Sequence, residues 1–401
     1  MALTGDPTGR NLSGRTSSSQ ELRKFFAPEF IFGAGALALG GQYARNLGGR
    51  RVLVVSDPEV EAAGWVQPVL ASVEEAGLGY TVYKQVTPNP RIEEAVAGAE
   101  VFAENGCDVV IAVGGGSVID CAKGIGLLVS SGGKIEDFVG VDNVHAPMPP
   151  TICIPTTAGT SADVSQFAVI TSRQSMRKML IISKAVLPDI SLIDPVTLTS
   201  MDPFLTACTG LDALVHAIEA YVSSGHSPLT DIHALEAMRL ISSNLLKSVA
   251  EPANLEYRTA MMLGSLEAGL AFSNASLGAV HAMAHSIGGL LDLPHGECNA
   301  MLFERVIDFN FPAAQDRYSN IAGAIGIEVK GLSGSEVRHQ LVGQLRQLRE
   351  KAGLHHTLSD SGVHRTEVRE LSEIALDDPC IVTNPRVPCR RDIEVIYEEC
   401  L

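Results

Sequence analysis

The chain has 401 residues, with 30 Lys and Arg against 46 Asp and Glu, for a formal net charge of −16. An acidic balance of that size excludes a binder of nucleic-acid backbones. With 46% hydrophobic and 19% charged residues the chain is no disordered polymer, and it has material for two or three domain cores.

The first twenty residues are rich in Gly, Ser and Thr and lack the apolar run of a secretory signal. A flexible tail is expected over 1–24, with Arg10 and Arg15 only a weak organellar address. Short β-rich runs follow at 51–55, 80–84, 108–113 and 151–155, separated by helical stretches at 61–76 and 92–105, the alternation of parallel βαβ units. Pro-bearing segments at 146–150, 187–195 and 201–203 lead into long 3.6-period stretches at 204–224, 230–250, 255–272 and 277–291. The expected division is therefore an α/β unit at 25–202 and a helical unit at 203–401, with ligands in the cleft between them. The longest apolar stretches, such as 277–291, fall short of the ~20 residues a bilayer span needs. Eight cysteines with no CxxC spacing fit reduced thiols and a cytoplasmic location.

Two glycine clusters stand where a phosphate might bind. Gly33, Gly35 and Ala38 make a loose GxGxxA after three plausible strand residues, and serve equally as a turn before a helix. Gly114, Gly115, Gly116 and Ser117 follow the apolar run Val109 to Val113 and open a helical stretch. Glycines there permit unusual φ/ψ and close backbone approach, and the N–H groups of a helix start favour an anion. Asp57, at the end of RVLVVSD, can accept from an adenosine ribose and repel a 2′-phosphate, or cap the next helix. The patch Pro155 to Ser161 offers hydroxyls and amides to a phosphate or a carboxamide, or to turns and caps.

The second half carries the metal signal. Asp212 and His216 are four apart on a helical pattern, as are His281 and His285, and His295 sits between Pro294 and Gly296 in an expected loop. Such N and O donors suit Fe2+ or Zn2+ better than Ca2+ or Mg2+. Four histidines and an aspartate in two apolar windows would be costly to bury without an ion. His226, His233, His339, His355, His356 and His364 are read as ordinary packed or solvated residues.

GGGSVID, IPTTAGTS, LPDISLIDP, GLDALVHAIEAYVS, the HAMAH and LPHG pair and NPR at 384–386, in that order, resemble the iron-dependent (group III) alcohol dehydrogenases from about Phe25 onward. The resemblance implies a Rossmann-like dinucleotide-binding α/β domain plus an all-α domain, a dehydroquinate synthase-like architecture, with a metal in the cleft. It puts the metal ligands on Asp212, His216, His281 and His295 and an additional active-site histidine on His285. It puts NAD contacts on Asp57, Gly114, Gly115, Gly116, Ser117, Thr156, Thr157 and Thr160, with Lys178 a further ribose contact. Phe167, Phe272 and Cys380 fall near the substrate channel. Glycerol dehydrogenases and dehydroquinate synthases share the architecture but usually present two histidines with the acid, so the four-ligand set favours the iron-type branch.

The expected reaction is reversible hydride transfer between a small primary alcohol, or its aldehyde, and NAD(H). Fe2+, with Zn2+ as the alternative, acts on the substrate oxygen as a Lewis acid. His285 moves the alcohol proton or supports the metal site. Propanediol-type, ethanol, butanol and lactaldehyde substrates all remain open at this stage, and a homo-oligomer is expected. The rivals are a glycerol-type polyol dehydrogenase, a two-histidine iron oxygenase, which leaves GGGS unexplained, and a non-catalytic nucleotide- or metal-binding module.

Overall fold

The computed structural model describes residues 24–401, so the expected tail at 1–24 lies, but for Lys24, outside the described residues. Parallel strands β1 (Glu29–Phe32), β2 (Arg51–Val55), β3 (Gly79–Tyr83), β4 (Val109–Gly114), β6 (Thr151–Pro155) and β9 (Ile190–Ile193) form one sheet in the order β1-β9-β6-β4-β2-β3. Between them in sequence lie β5 (Gly140–Val141), β7 (Phe167–Ser172) and β8 (Arg177–Ile182), a second sheet in the order β5-β8-β7. The four runs expected as strands are β2, β3, β4 and β6 to within a residue at each end.

Successive side chains of a strand point to opposite faces, and both faces here are covered. Leu53, Val55, Val110, Ala112 and Cys153 pack toward helices Ile92–Glu104 and Gly116–Ser131, while Val52, Val54, Ile111, Val113 and Ile154 pack toward Val66–Glu75. The helix expected over 61–76 is two, Pro58–Ala62 and Val66–Glu75, broken at Gly64 with φ +88°. β2 lies between β3 and β4, so the chain leaves β2 in one direction and returns past it in the other. Outside the carboxyl ends of β2 and β4 that reversal opens the crevice where α/β sheets receive ligands.

The β7–β8 hairpin and β9 were not legible in sequence. The hairpin turn holds no glycine, and Met176 takes the left-handed φ of +52° where glycine would have been the cue. β9 is four buried residues between Pro188 and Pro195, too short to read. From Pro203 onward the chain is helical: Pro203–Val222, Pro228–Ala250, Leu255–Ala275, Ala279–Leu291 and His295–Asn310 come first. Asp202, Ser227 and Asn254 cap the first three of these, and Pro203 and Pro228 take the first helical position where a missing N–H costs nothing. The fold is thus a Rossmann-like parallel α/β sheet joined to an all-α half.

Among the described residues no helix is long and apolar enough to cross a membrane. All eight cysteines are unpaired.

One buried cation ties the helical half together. Arg258, 1% exposed, donates to the carbonyls of Pro252 (2.7 Å) and Met201 (2.8 Å) and to Thr206 Oγ1 (2.7 Å). Arg258→Met keeps the length but strands those carbonyls, a loss of about 3 kcal/mol. Thermal unfolding is expected to fall by several degrees, and an unchanged midpoint would show that the network carries no stability.

Candidate metal centre and cofactor cleft

Asp212 and His216 share one face of the Pro203–Val222 helix, His281 lies on Ala279–Leu291, and His295 opens His295–Asn310. The loop expected around His295 is therefore a helix start. From Asp212 Oδ1 the distances to the Nε2 atoms of His216, His281 and His295 are 3.8, 3.6 and 3.7 Å. Donors about 2.1 Å from a shared ion, at near-tetrahedral angles, lie roughly 3.4 Å apart. Asp212, His216 and His281 thus lie close enough together to share one divalent ion, and His295 Nε2 stands 3.7 Å from the same carboxylate oxygen. The side chains of Asp212 and His281 are 2% and 1% exposed, so water supplies little compensation for their charge.

Neighbours fix the rings of His281 and His216. Glu219, one further turn along from His216, accepts from Gly278 N (3.0 Å) and Val280 N (2.7 Å) and pairs with His281 Nδ1 (2.6 Å). It caps the Ala279–Leu291 helix and turns His281 Nε2 toward Asp212. The rings of His216 and His281 stack at 4.4 Å, and His216 stacks on Phe272 at 4.3 Å. Burial pushes His216 down to about 3 and His295 well below the usual imidazole range. Burial also works against a proton on His281, but Glu219 and Asp212 hold that ring up at about 9. Burial likewise opposes ionisation of Asp212, yet the imidazoles of His216, His295 and His281 keep its carboxyl far below the usual range. An ionised carboxylate beside neutral His216 and His295 offers lone pairs to a cation, and His281 joins them on giving up its proton.

These groups open on a cavity of about 100 Å³ that reaches from His216, His281, His285 and His295 past Phe167, Phe272 and Lys178 to Thr160, Gly116 and Ser117. Gly116 and Ser117 open the Gly116–Ser131 helix at the end of β4. None of Gly114, Gly115 and Gly116 has a positive φ, so unusual backbone angles are not the reason for them. Close approach is. A Cβ on Gly115 would meet Thr157 at 3.1 Å, and one on Gly116 would meet Thr160 at 2.6 Å. Thr156 N donates to Gly114 O at 3.0 Å, seating the Thr156–Thr160 loop on the glycines. Asp57 lies at the carboxyl end of β2, away from this cavity, where its Oδ1 caps the Pro58–Ala62 helix through Glu59 N and Val60 N, both at 2.8 Å. The other glycine cluster is spoken for, since Gly35 N (2.8 Å) and Leu37 N (3.4 Å) donate to Asp194 Oδ2. Cys380, expected in the substrate channel, is not on the cavity wall. It is fully buried behind His285, its N–H on Asp378 Oδ1 (2.8 Å) while Asp378 Oδ2 holds His285 Nδ1 (2.8 Å).

The family model of iron-containing alcohol dehydrogenase matches residues 27–195, and that of the C-terminal part of the Fe-containing alcohol dehydrogenase family matches 206–401. The 1,3-propanediol dehydrogenase of Citrobacter freundii is 38% identical over 371 residues, 92% of this chain and 96% of that enzyme. The NAD-dependent methanol dehydrogenase of Bacillus methanolicus is 36% identical over 94% of this chain and 99% of that enzyme. The crystal structure of a 1,3-propanediol oxidoreductase superimposes with a TM-score of 0.92 at 36% identity, covering 95% of this chain and all of that one. The chain belongs to the iron-containing alcohol dehydrogenase family. It is an NAD-dependent, metal-dependent oxidoreductase of alcohols and aldehydes.

Within this iron-type dehydrogenase, several residues that shape the site escaped the sequence reading. Glu219 continues the Asp212, His216 stripe at i+7, and Asn299 stands four after His295, so helical spacing could have found both. Asn89, with Asp120 on the cavity wall, gave no such signal; its N–H reaches Ser117 Oγ at 3.2 Å.

The His295 helix start can approach Asp212 only because residue 296 is glycine, where a Cβ would lie 2.2 Å from Cys208 O. Gly296→Ala is expected to force the two helices apart and lower the thermal midpoint by several degrees. A midpoint equal to that of the parent would show that the close approach is dispensable.

Proposed function

We propose that Asp212, His216, His281 and His295 jointly hold one divalent ion, Fe2+ with Zn2+ as the alternative, facing a nicotinamide bound in the same cavity, and that the substrate is a small primary alcohol or its aldehyde. The observation that carries this is the 3.6–3.8 Å spacing of three imidazole nitrogens about Asp212 Oδ1, in the wall of a cavity that Gly116 and Ser117 also line. When bound, such an ion supplies a Lewis acid for the substrate oxygen, and NAD supplies the hydride acceptor.

The chain's own groups do the rest. Backbone N–H groups at the start of the Gly116–Ser131 helix, together with Ser117, Thr156, Thr157 and Thr160, receive the pyrophosphate and the nicotinamide end. Asp57, with Oδ1 engaged in its cap, offers its other oxygen to the adenosine ribose and disfavours a 2′-phosphate. Lys178, half-buried beside Gly288, reaches the ribose side of the cavity. Phe167 and Phe272 meet edge to face at 5.5 Å and keep water from the reacting carbon, leaving a narrow apolar slot beside His216. His285 lines this cavity and also an outer cleft with Arg177, Asp377 and Asp378, which supports it as the imidazole that passes the alcohol proton outward. That its relatives include a 1,3-propanediol dehydrogenase and a methanol dehydrogenase supports a short alcohol or diol.

We divide the chain into a dinucleotide-binding unit at 25–202 and a metal and substrate unit at 203–401. Seven buried, unpaired cysteines support a reducing cytoplasm. The outer strand β1, with Phe30 41% exposed, supports a homo-oligomer, a dimer or larger.

Chelation is expected to abolish NADH formation from 1,3-propanediol and other primary alcohols, and anaerobic Fe2+ to restore it. His295→Ala is expected to lose metal and turnover together while NADH binding, followed by fluorescence, persists; turnover equal to the parent's would rule out the ligand role. Asp57→Gly is expected to gain measurable NADP use and to lose only about 0.3 kcal/mol of cap stability, since glycine is itself a fair N-cap. Coenzyme kinetics check this, and no gain with NADP would remove Asp57 from the cofactor site.

A further inference from the structure

Asn299 is fully buried and sits four residues after His295, on the same face of the His295–Asn310 helix. Its Nδ2 lies 2.7 Å from Asp212 Oδ1, 3.3 Å from His281 Nε2 and 3.4 Å from His295 Nε2. Its Oδ1 has no partner among the described residues. The amide's orientation follows from chemistry: the reversed amide would set a carbonyl oxygen 2.7 Å from a carboxylate oxygen, two acceptors in contact with no proton between them. A buried amide that leaves its own oxygen unsatisfied costs stability, and such exceptions call for a reason.

The reason lies in which atom it holds. The oxygen that accepts from Asn299 is the same Asp212 Oδ1 about which the three Nε2 atoms are spaced at 3.6–3.8 Å. A carboxylate is free to rotate about its Cβ–Cγ bond and to offer either oxygen. A donor at 2.7 Å removes that freedom. Two histidines of the site have an orienting partner of the same kind, His281 on Glu219 and His285 on Asp378. Asn299 gives the single acid its equivalent.

We propose that Asn299 is a positioning residue of the metal centre, its Nδ2–H bond holding Asp212 Oδ1 as the oxygen that an ion shares with His216, His281 and His295. The inference rests on the reading that those four residues hold an ion. Because His295 and Asn299 come from one helix and Asp212 from another, the same bond locks the His295 helix to the Asp212 helix at the site.

The test compares the parent with Asn299→Ala and Asn299→Leu, the second keeping side-chain volume while removing the donor. Zn2+ and Co2+ affinities are measured by competition with a chromophoric chelator, the Co2+ d–d spectrum reports coordination geometry, and NADH fluorescence confirms an intact cofactor cleft. Both variants are expected to bind the ions 10- to 100-fold more weakly, with a changed Co2+ spectrum and unchanged NADH binding. A folded variant that matches the parent within about twofold and keeps its spectrum overturns the proposal and leaves the metal reading standing. A parent that binds neither ion overturns both. Should neither variant fold, a crystal structure of the Co2+-loaded parent decides: Nδ2 still on Asp212 Oδ1 supports the proposal, while an amide turned away, or ligating through its oxygen, overturns it.

Discussion

A carboxylate buried among three imidazoles is the constraint on which the helical half is built. Asp212 is 2% exposed in a core of apolar helices, and an ionised acid there is tolerated only where positive charge or strong donors meet it. The packing brings them. Glycine at 296 lets one helix start press against Cys208 O and so deliver His295, and Glu219 both caps the next helix and aims His281. Phe272 and the stacked rings of His216 and His281 close the apolar side. Backbone proximity, capping and charge therefore serve one arrangement, and loosening any of them spreads the donors.

The sheet serves the other side of the same cavity. A reversal of strand order at β2 creates the crevice, and the glycines after β4 keep it open by letting the Thr156–Thr160 loop sit directly on the helix start. The β7–β8 hairpin carries Phe167 and Lys178 to the wall. A strap joins the two halves at the mouth. Asn89 takes Ser117 Oγ through its N–H and Asp292 Oδ1 through Nδ2 (2.8 Å), and Arg91 pairs with Asp292 at 2.8 Å, three residues before His295. The glycine loop and the His295 helix start are thus held in register by polar contacts, which suits a reaction that needs coenzyme and substrate at fixed separation.

Where sequence periodicity coincided with chemistry, the site was readable. The i, i+4 pairs Asp212–His216 and His281–His285, and the strand, glycine, helix order at 109–118, mark both halves of the cavity. What escaped has physical reasons. The hairpin turns on Met176 in a left-handed conformation that composition does not announce, and β9 is too short for a period to emerge. The glycines were read as permitting unusual angles and close backbone approach; only the second holds, and the groups that approach, Thr157 and Thr160, make a long-range contact invisible to local pattern. Cys380 matched a channel position by motif yet stands behind His285, because Asp378 takes its N–H and draws it inward. Asp57 was read two ways, as a ribose acceptor and as a helix cap, and its Oδ1 makes the cap bonds.

The central claim is that one ion is shared by a single acid and three imidazoles. Anomalous diffraction at the iron edge, from crystals grown of anaerobically reconstituted protein, measures this directly. The account predicts one anomalous peak per chain, about 2.0–2.2 Å from Asp212, His216, His281 and His295 together. A peak elsewhere in the chain, or one that reaches fewer than three of those four side chains, would contradict it.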